Sequence, residues 1–244
     1  MKRVAQSLFF WMMTVVLTVG VFLAALFTVI LFFPFDSKRK ICHAQGFWWA
    51  DALFALNPSW DFGVSGMENV DKDKAYVITA NHQSLGDIAL LYKTHLQFKW
   101  VAKTSLFKIP IFGWCMSLMK YIRLERGEFS SIKDVYNEAG EWLRKDVSVL
   151  FFPEGTRSLT DEMNPFKNGA FKLAIKEQKP ILPIYVEGTR DIIPKGSWIF
   201  RADVKCRLTV LPAIETTSYK PEDFALLRDT VRQRLILAAK SAKQ

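Results

Sequence analysis

Between Arg3 and Asp36 the chain runs for 32 residues without a single charge, and from Leu8 to Phe33 it is almost wholly apolar. Crossing a bilayer core takes about 20 helical residues, so this stretch is long enough to span one with tilt to spare. A cleaved signal peptide has an apolar core of roughly 7–15 residues followed by a small-residue cleavage site. Here the run is longer, and Phe32-Phe33-Pro34-Phe35-Asp36 follows it. The expectation is a retained membrane segment, either a straight span or, with Gly20 near its middle, a re-entrant hairpin. Lys38, Arg39 and Lys40 after the segment outnumber Lys2 and Arg3 before it, so the positive-inside rule puts the body of the chain on the cytoplasmic side of an inner or cytoplasmic membrane. Residues 47–60 carry three of the eight tryptophans, and indole rings favour the headgroup layer. This segment is expected along the membrane surface, with a helix buried against the main domain as the alternative. Residues 1–60 thus read as anchor and interfacial segment, and 61–244 as one domain of ordinary size.

The remaining composition excludes several classes. With 23% charged and 14% aromatic residues the chain is not disordered. Three scattered cysteines, Cys42, Cys115 and Cys206, make neither a disulfide framework nor a CxxC zinc site, and a reducing compartment fits them. Cys42 and His43 are adjacent and His95 stands alone, so no metal centre is expected; Cys42 reads as a small apolar residue and the two histidines as surface imidazoles. The net charge of 33 − 24 = +9 draws the chain to anionic lipid and suits phosphorylated substrates. No basic stripe interleaved with aromatics is present, so nucleic acid is not the expected partner.

From residue 75 onward short apolar runs alternate with helical periods. Residues 75–80, 98–102, 121–124, 148–152, 181–186 and 206–211 read as strands. Residues 88–95 and 170–177 read as helices, and a last one begins at Pro221. The clearest helix is 130–145, where Ile132, Val135, Tyr136, Ala139, Trp142 and Leu143 share one face. Such alternation predicts an α/β domain: a mostly parallel central sheet flanked by helices.

Two loops carry polar chemistry. Asn81-His82-Gln83-Ser84-Leu85-Gly86-Asp87 follows the first of these strands, where ligand-binding residues of open α/β sheets collect. In one continuous helix His82 and Asp87 would lie about 140° apart in projection and could not meet. They meet if His82 sits in the turn before the helix and Asp87 in its first turn. A carboxylate on one imidazole nitrogen fixes the tautomer and leaves the other nitrogen free to accept a proton. A plain turn, with His82 on backbone and Asp87 as a helix-start charge, is the competing reading. Phe152-Pro153-Glu154-Gly155-Thr156-Arg157-Ser158 follows a later strand and offers a glycine, hydroxyls and a guanidinium that matches phosphate oxygens. Its competing reading is a surface turn with an exposed Glu–Arg pair. Both loops are expected to open at the same edge of one parallel sheet, and that convergence favours an active site.

Together these two loops resemble the glycerolipid acyltransferase family with its HxxxxD motif, in particular the 1-acylglycerol-3-phosphate (lysophosphatidate) acyltransferase branch. Tyr121-Ile122-Arg123-Leu124-Glu125-Arg126-Gly127 resembles the family's arginine-bearing block, with Glu125 where Asp is usual, and Ile181-Leu182-Pro183-Ile184-Tyr185-Val186 resembles its proline-containing strand. The likeness covers about residues 60–215 in correct order. It implies an O-acyltransferase of phospholipid biosynthesis, moving an acyl group from acyl-CoA or acyl carrier protein to a lysophospholipid hydroxyl, with no cofactor and no metal. His82 would be the base and Asp87 its orienting carboxylate. Arg126, Glu154, Gly155, Thr156 and Arg157 would bind the glycerol-phosphate part, and Pro183 would shape the donor site. Arg123 is an alternative to Arg126, and Lys103 and Lys167 are either further cations or ordinary solvated lysines. Neither a GxSxG elbow nor a cysteine beside the motifs suggests an acyl-enzyme. Glycerol 3-phosphate or another lysolipid as acceptor, a lipid hydrolase in which His82 activates water, and a non-catalytic lipid-binding protein are the alternatives.

Overall fold

The computed structural model describes residues 2–33, 35–125, 129–158, 160, 162–193, 196–201 and 203–242, the side chains of 129–131 excepted. The uncharged N-terminal stretch forms one helix, α1 (Lys2–Leu31), about 45 Å long at 1.5 Å per residue. It passes Gly20 without a break, so the hairpin alternative is not the form adopted. Ser7, Thr14, Thr18 and Thr28 turn their hydroxyls back onto carbonyls four residues earlier, at 2.7–2.8 Å, so these side chains need no water on an apolar rod. The helix is long and apolar enough to cross a membrane.

Asp36 starts the next helix, α2 (Lys40–Ala55): its carboxylate accepts from the backbone N–H of Lys40 at 2.7 Å and of Cys42 at 3.4 Å. This is the capping that a helix N-terminus requires. α2 lies along α1, joined by a Gln45–Thr28 bond of 2.6 Å and a Trp49–Thr18 bond of 3.1 Å. Trp60 also turns inward, onto the carbonyl of Arg201, whereas Trp48 is 71% exposed. His43 does not lie on the surface as expected but is completely buried. α2 is apolar around most of its circumference, so periodicity did not separate its inner face from its outer one.

A seven-stranded sheet follows, made of β1 (Trp60–Ser65), β2 (Val77–Ala80), β3 (Phe98–Lys103), β4 (Ile122–Leu124), β5 (Ser148–Phe151), β6 (Ile181–Glu187) and β7 (Val204–Val210). Its order is β1-β7-β6-β2-β5-β3-β4. The five strands from β6 to β4 are mutually parallel, β7 runs antiparallel to β6, and β1 is parallel to β7. The helices are α3 (Gly86–Tyr92), α4 (Thr104–Phe107), α5 (Phe112–Leu118), α6 (Phe129–Arg144), α7 (Gly169–Glu177) and α8 (Phe224–Ser241). Strand residues alternate between two cores: Ile78, Leu150 and Leu182 face the layer of α1, α2 and α3, while Val77, Val149 and Ile181 face that of α6, α7 and α8. Burying such side chains stabilises the fold by about 1.5–3 kcal/mol each.

The edge strand β1 escaped the sequence reading because Asp61 and Gly63 interrupt its apolar pattern. It is held by parallel pairing to β7, from Trp60 opposite Val204 to Ser65 opposite Thr209. Pro183, inside β6, has no N–H to donate, and the strand accommodates it where the pairing with β7 gives out. The antiparallel register ends at Ile184 opposite Val210, and the next bridge joins Ile181 to Ile214, leaving an extra residue on the facing segment.

Candidate active site

The C-terminal ends of β2 and β5, adjacent and parallel, deliver the two polar loops to one edge of the sheet. After β2 the chain leaves the sheet at Asn81, whose side-chain amide exchanges two 2.8 Å bonds with the N–H and carbonyl of Val186 in β6. The amide thus continues the ladder for one step after the backbone has turned away. His82 follows in that turn, and Asp87 lies in the first turn of α3. Asp87 is fully buried, and its Oδ2 accepts from His82 Nδ1 at 2.6 Å, Gln83 N–H at 2.7 Å and Ser84 N–H at 3.0 Å. Its other oxygen, Oδ1, accepts from the hydroxyl of Thr189 in the loop after β6. Because Nδ1–H donates to the carboxylate, Nε2 is the nitrogen left to the outside.

The second loop locks onto the first. Glu154 Oε1 accepts from the backbone N–H of His82 at 2.8 Å, and the N–H of Ser158 donates to the carbonyl of His82, also at 2.8 Å. The Phe152 ring stacks on the imidazole with centroids 4.1 Å apart. Glu154 itself is buried, and its Oε2 accepts from the Ser158 hydroxyl and from Asn164 N–H at 2.8 Å. Both of its oxygens are therefore engaged by the protein, which makes Glu154 a clamp between the loops. Gly155 adopts φ 70°, and a β-carbon there would sit 2.9 Å from Lys167 Nζ, so the glycine lets this lysine lie across the loop.

His82 opens onto a groove of about 310 Å³ whose wall is polar near Lys103, Gly155 and Lys167 and apolar along Leu106, Ile132 and Val135. A second groove of about 380 Å³, lined almost wholly by apolar side chains including Phe10, Trp11 and Trp60, shares Leu85, Ile88 and Leu106 with the first and reaches α1. Thr156 and Arg157 are exposed at the same sheet edge, and Arg157 makes no ion pair among the described residues. Arg126 lies outside the described residues. Arg123 is spent on the protein, donating to Ser117 Oγ at 2.9 Å and lying over the Phe107 ring. Pro183 is not brought to the grooves: it stays in the sheet opposite Thr79. Burial pushes the thiols of Cys42 and Cys115 up to about 11 and that of Cys206 to about 12, so none supplies a thiolate near neutral pH. Among the described residues no group of three or more His, Cys, Asp or Glu could hold a metal ion.

Two contributors were missed by the sequence reading. In the sequence Asn81 reads only as part of its loop, and no motif marks Thr189. The signal for Thr189 was its place, directly after the glycine that ends a parallel strand at the same edge as the other two loops.

The sequence model of the Acyltransferase family matches residues 61–187, which contain both loops, helices α3 to α7 and β6. A chloroplastic 1-acyl-sn-glycerol-3-phosphate acyltransferase of Brassica napus is 38% identical over 66% of this chain and 46% of its own length. Its counterpart in Arabidopsis thaliana is 39% identical over 69% of this chain and 47% of its own. The chain thus spans under half the length of these two relatives. The crystal structure of the 1-acyl-sn-glycerophosphate (LPA) acyltransferase PlsC from Thermotoga maritima superimposes with a TM-score of 0.85 at 29% identity, covering 99% of this chain and 96% of that one. Since the family's own sequence pattern runs through more than half of the residues, and through those that build the sheet edge, the chain belongs to the acyltransferase family.

Proposed function

We propose that this protein transfers a fatty acyl group from an acyl thioester to the free hydroxyl of a lysophospholipid, with 1-acylglycerol 3-phosphate as acceptor and phosphatidate as product. The observation that carries the reading is the His82–Asp87 pair, oriented by the protein and facing a groove lined by Lys103 and Lys167 together with many apolar side chains. His82 Nε2 takes the proton of the acceptor hydroxyl as its oxygen attacks the thioester carbonyl. The new C–O bond forms, the C–S bond breaks, and the imidazolium returns the proton to the departing thiolate. Asp87 holds the ring and stabilises its charged form, an arrangement worth about 10²–10⁴ in rate. Arg157 and Arg126, with Thr156, Gly155 and Lys167, meet the phosphomonoester, and Glu154 acts by holding the loop that carries Gly155, Thr156 and Arg157 against His82. Pro183 contributes through the shape of β6.

The reading is also supported by the apolar character of α1, which suits an enzyme whose substrates are dissolved in a membrane. Residues 1–60 serve as anchor and interfacial segment, and the domain from residue 61 faces the cytoplasm. Basic residues close to an anionic surface add roughly 1 kcal/mol each. The donor is acyl-CoA or acyl carrier protein.

The test uses purified protein in mixed micelles with 1-acylglycerol 3-phosphate and a labelled long-chain acyl-CoA, with acyl carrier protein as second donor and His82→Ala alongside. Phosphatidate made by the wild type and lost in His82→Ala is the expected result. Acylation of another lysolipid instead would move the acceptor. Release of free fatty acid without any acceptor would replace the transferase by a hydrolase, and no product with either donor would leave a lipid-binding protein.

A further inference from the structure

We infer that Thr189 is a positioning residue for the base, acting through Asp87; the inference rests on the proposed role of His82. Asp87 is completely buried, and three of the donors described above converge on its Oδ2. Thr189, 102 residues further along the chain and itself completely buried, supplies the donor on Oδ1. A carboxylate held by donors on one oxygen only remains free to swing about its Cβ–Cγ bond, and the imidazole bonded to it swings with it. A donor on the second oxygen fixes the carboxylate plane, and with it the direction in which His82 Nε2 presents its lone pair.

The local backbone is shaped for this contact. Gly188 has φ 79°, and a β-carbon there would lie 2.0 Å from the carbonyl oxygen of Lys205. Only glycine lets the chain turn so tightly against β7 and send the next side chain inward. The Thr189 hydroxyl has a single proton and two acceptors within reach, the Asp87 carboxylate and, at 3.5 Å, the amide oxygen of Gln83. The charged acceptor is the nearer, and bonds to ionised groups are about twice as strong as neutral ones. Thr189 also ties the end of β6 to the start of α3, so the sheet and the helix that carries Asp87 move as one body around the base.

The role is tested by Thr189→Val, which keeps the shape and removes the hydroxyl, and Thr189→Ser, which keeps the hydroxyl. Both are assayed as the whole chain in mixed micelles and checked for a cooperative thermal transition that stays above the assay temperature. Thr189→Val is expected to lower kcat roughly 10- to 100-fold, the size of a lost bond to a charged group, with KM for both substrates unchanged. Thr189→Ser is expected to stay within a few-fold of wild type. In an Asp87→Ala background Thr189→Val is expected to add no further loss, because its effect passes through the missing carboxylate. Wild-type kcat in Thr189→Val, or equal losses in the Val and Ser variants, overturns the inference, as does full additivity with Asp87→Ala. His82→Ala separates the two levels of the argument. If it stays active, the base assignment fails; if it is inactive while Thr189→Val is unimpaired, only the role of Thr189 fails.

Discussion

His82 and His43 present the same imidazole in two opposite settings. His82 keeps 17% of its side chain exposed, donates a hydrogen bond from Nδ1–H to a carboxylate, and leaves Nε2 to a groove. His43 is sealed between α2 and the sheet, where Nε2 donates to the carbonyl of Leu96 at 3.0 Å. Its Nδ1 must then accept from the Tyr121 hydroxyl at 2.8 Å, and Tyr121 in turn accepts from Tyr92 at 2.6 Å. Burial, reinforced by the nearby Lys99, pushes the His43 pKa down to about 3. The ring is neutral, both nitrogens are occupied, and nothing remains for chemistry. Whether an imidazole becomes a base or a structural peg is decided by what its first nitrogen meets and by whether the second reaches open space.

Asp87→Asn attacks the half of the comparison that matters most for activity. The amide keeps the volume of the carboxylate but removes the charge that stabilises imidazolium; its oxygen stays on the N–H groups of Gln83 and Ser84, and its nitrogen faces the Thr189 hydroxyl, which can accept. The expected loss is about 10²–10⁴ in kcat, with folding preserved in the thermal transition. A variant within tenfold of wild type would reduce Asp87 to a helix-start charge and leave His82 without its orienting partner.

Much of this geometry was legible in the sequence, and what was not has physical reasons. The alternation of apolar runs predicts the parallel sheet because strands buried on both faces must be mostly apolar, as β2 and β5 are, buried at every residue with only Thr79 and Ser148 polar. Helix geometry allows the His82–Asp87 contact only with His82 in the turn before the helix, and it leaves a plain turn open; the structure has His82 in that turn. Thr189 was out of reach because its partner is 102 residues away, and only the strand order brings β6 beside β2. Glu154 looked like an exposed turn residue or a substrate contact. Its burial depends on Ser158, Asn164 and the His82 backbone closing around it, none of which a local pattern reveals. His43 was misplaced because α2 packs on α1 on one side and on Tyr92 and Tyr121 on the other.

Glu154→Gln sharpens the contrast at the next level of effect. An amide oxygen can still accept from His82 N–H, but the amide nitrogen then faces the N–H of Asn164, donor against donor. Leaving such a buried group unpaired costs about 1–3 kcal/mol. The expected outcome is a lowered thermal transition and a kcat reduced roughly tenfold, about the rate equivalent of 1.4 kcal/mol, with KM for the acceptor little changed. A raised acceptor KM at unchanged stability would instead place Glu154 in contact with the glycerol-phosphate group.

The smallest effect is expected at His43, and it concerns pH rather than turnover. In the folded protein His43 refuses a proton down to about pH 3, whereas in the unfolded chain it titrates near the ordinary value of 6.5. Below pH 6.5 the unfolded state therefore binds the extra proton, and stability falls as pH falls, by up to about 1.4 kcal/mol per unit for this one group. Above pH 6.5 the group contributes no slope. His43→Leu removes the titration along with the bonds to Leu96 and Tyr121. The variant should be less stable than wild type at pH 7, should keep its activity within a few-fold, and should lose stability less steeply between pH 6 and pH 4. The comparison is read from denaturant unfolding in detergent at several pH values, each with the wild type alongside. Equal slopes in the two proteins would mean that His43 takes up its proton without leaving the folded state. The difference drawn between the two imidazoles would then be one of access to the groove, not of charge.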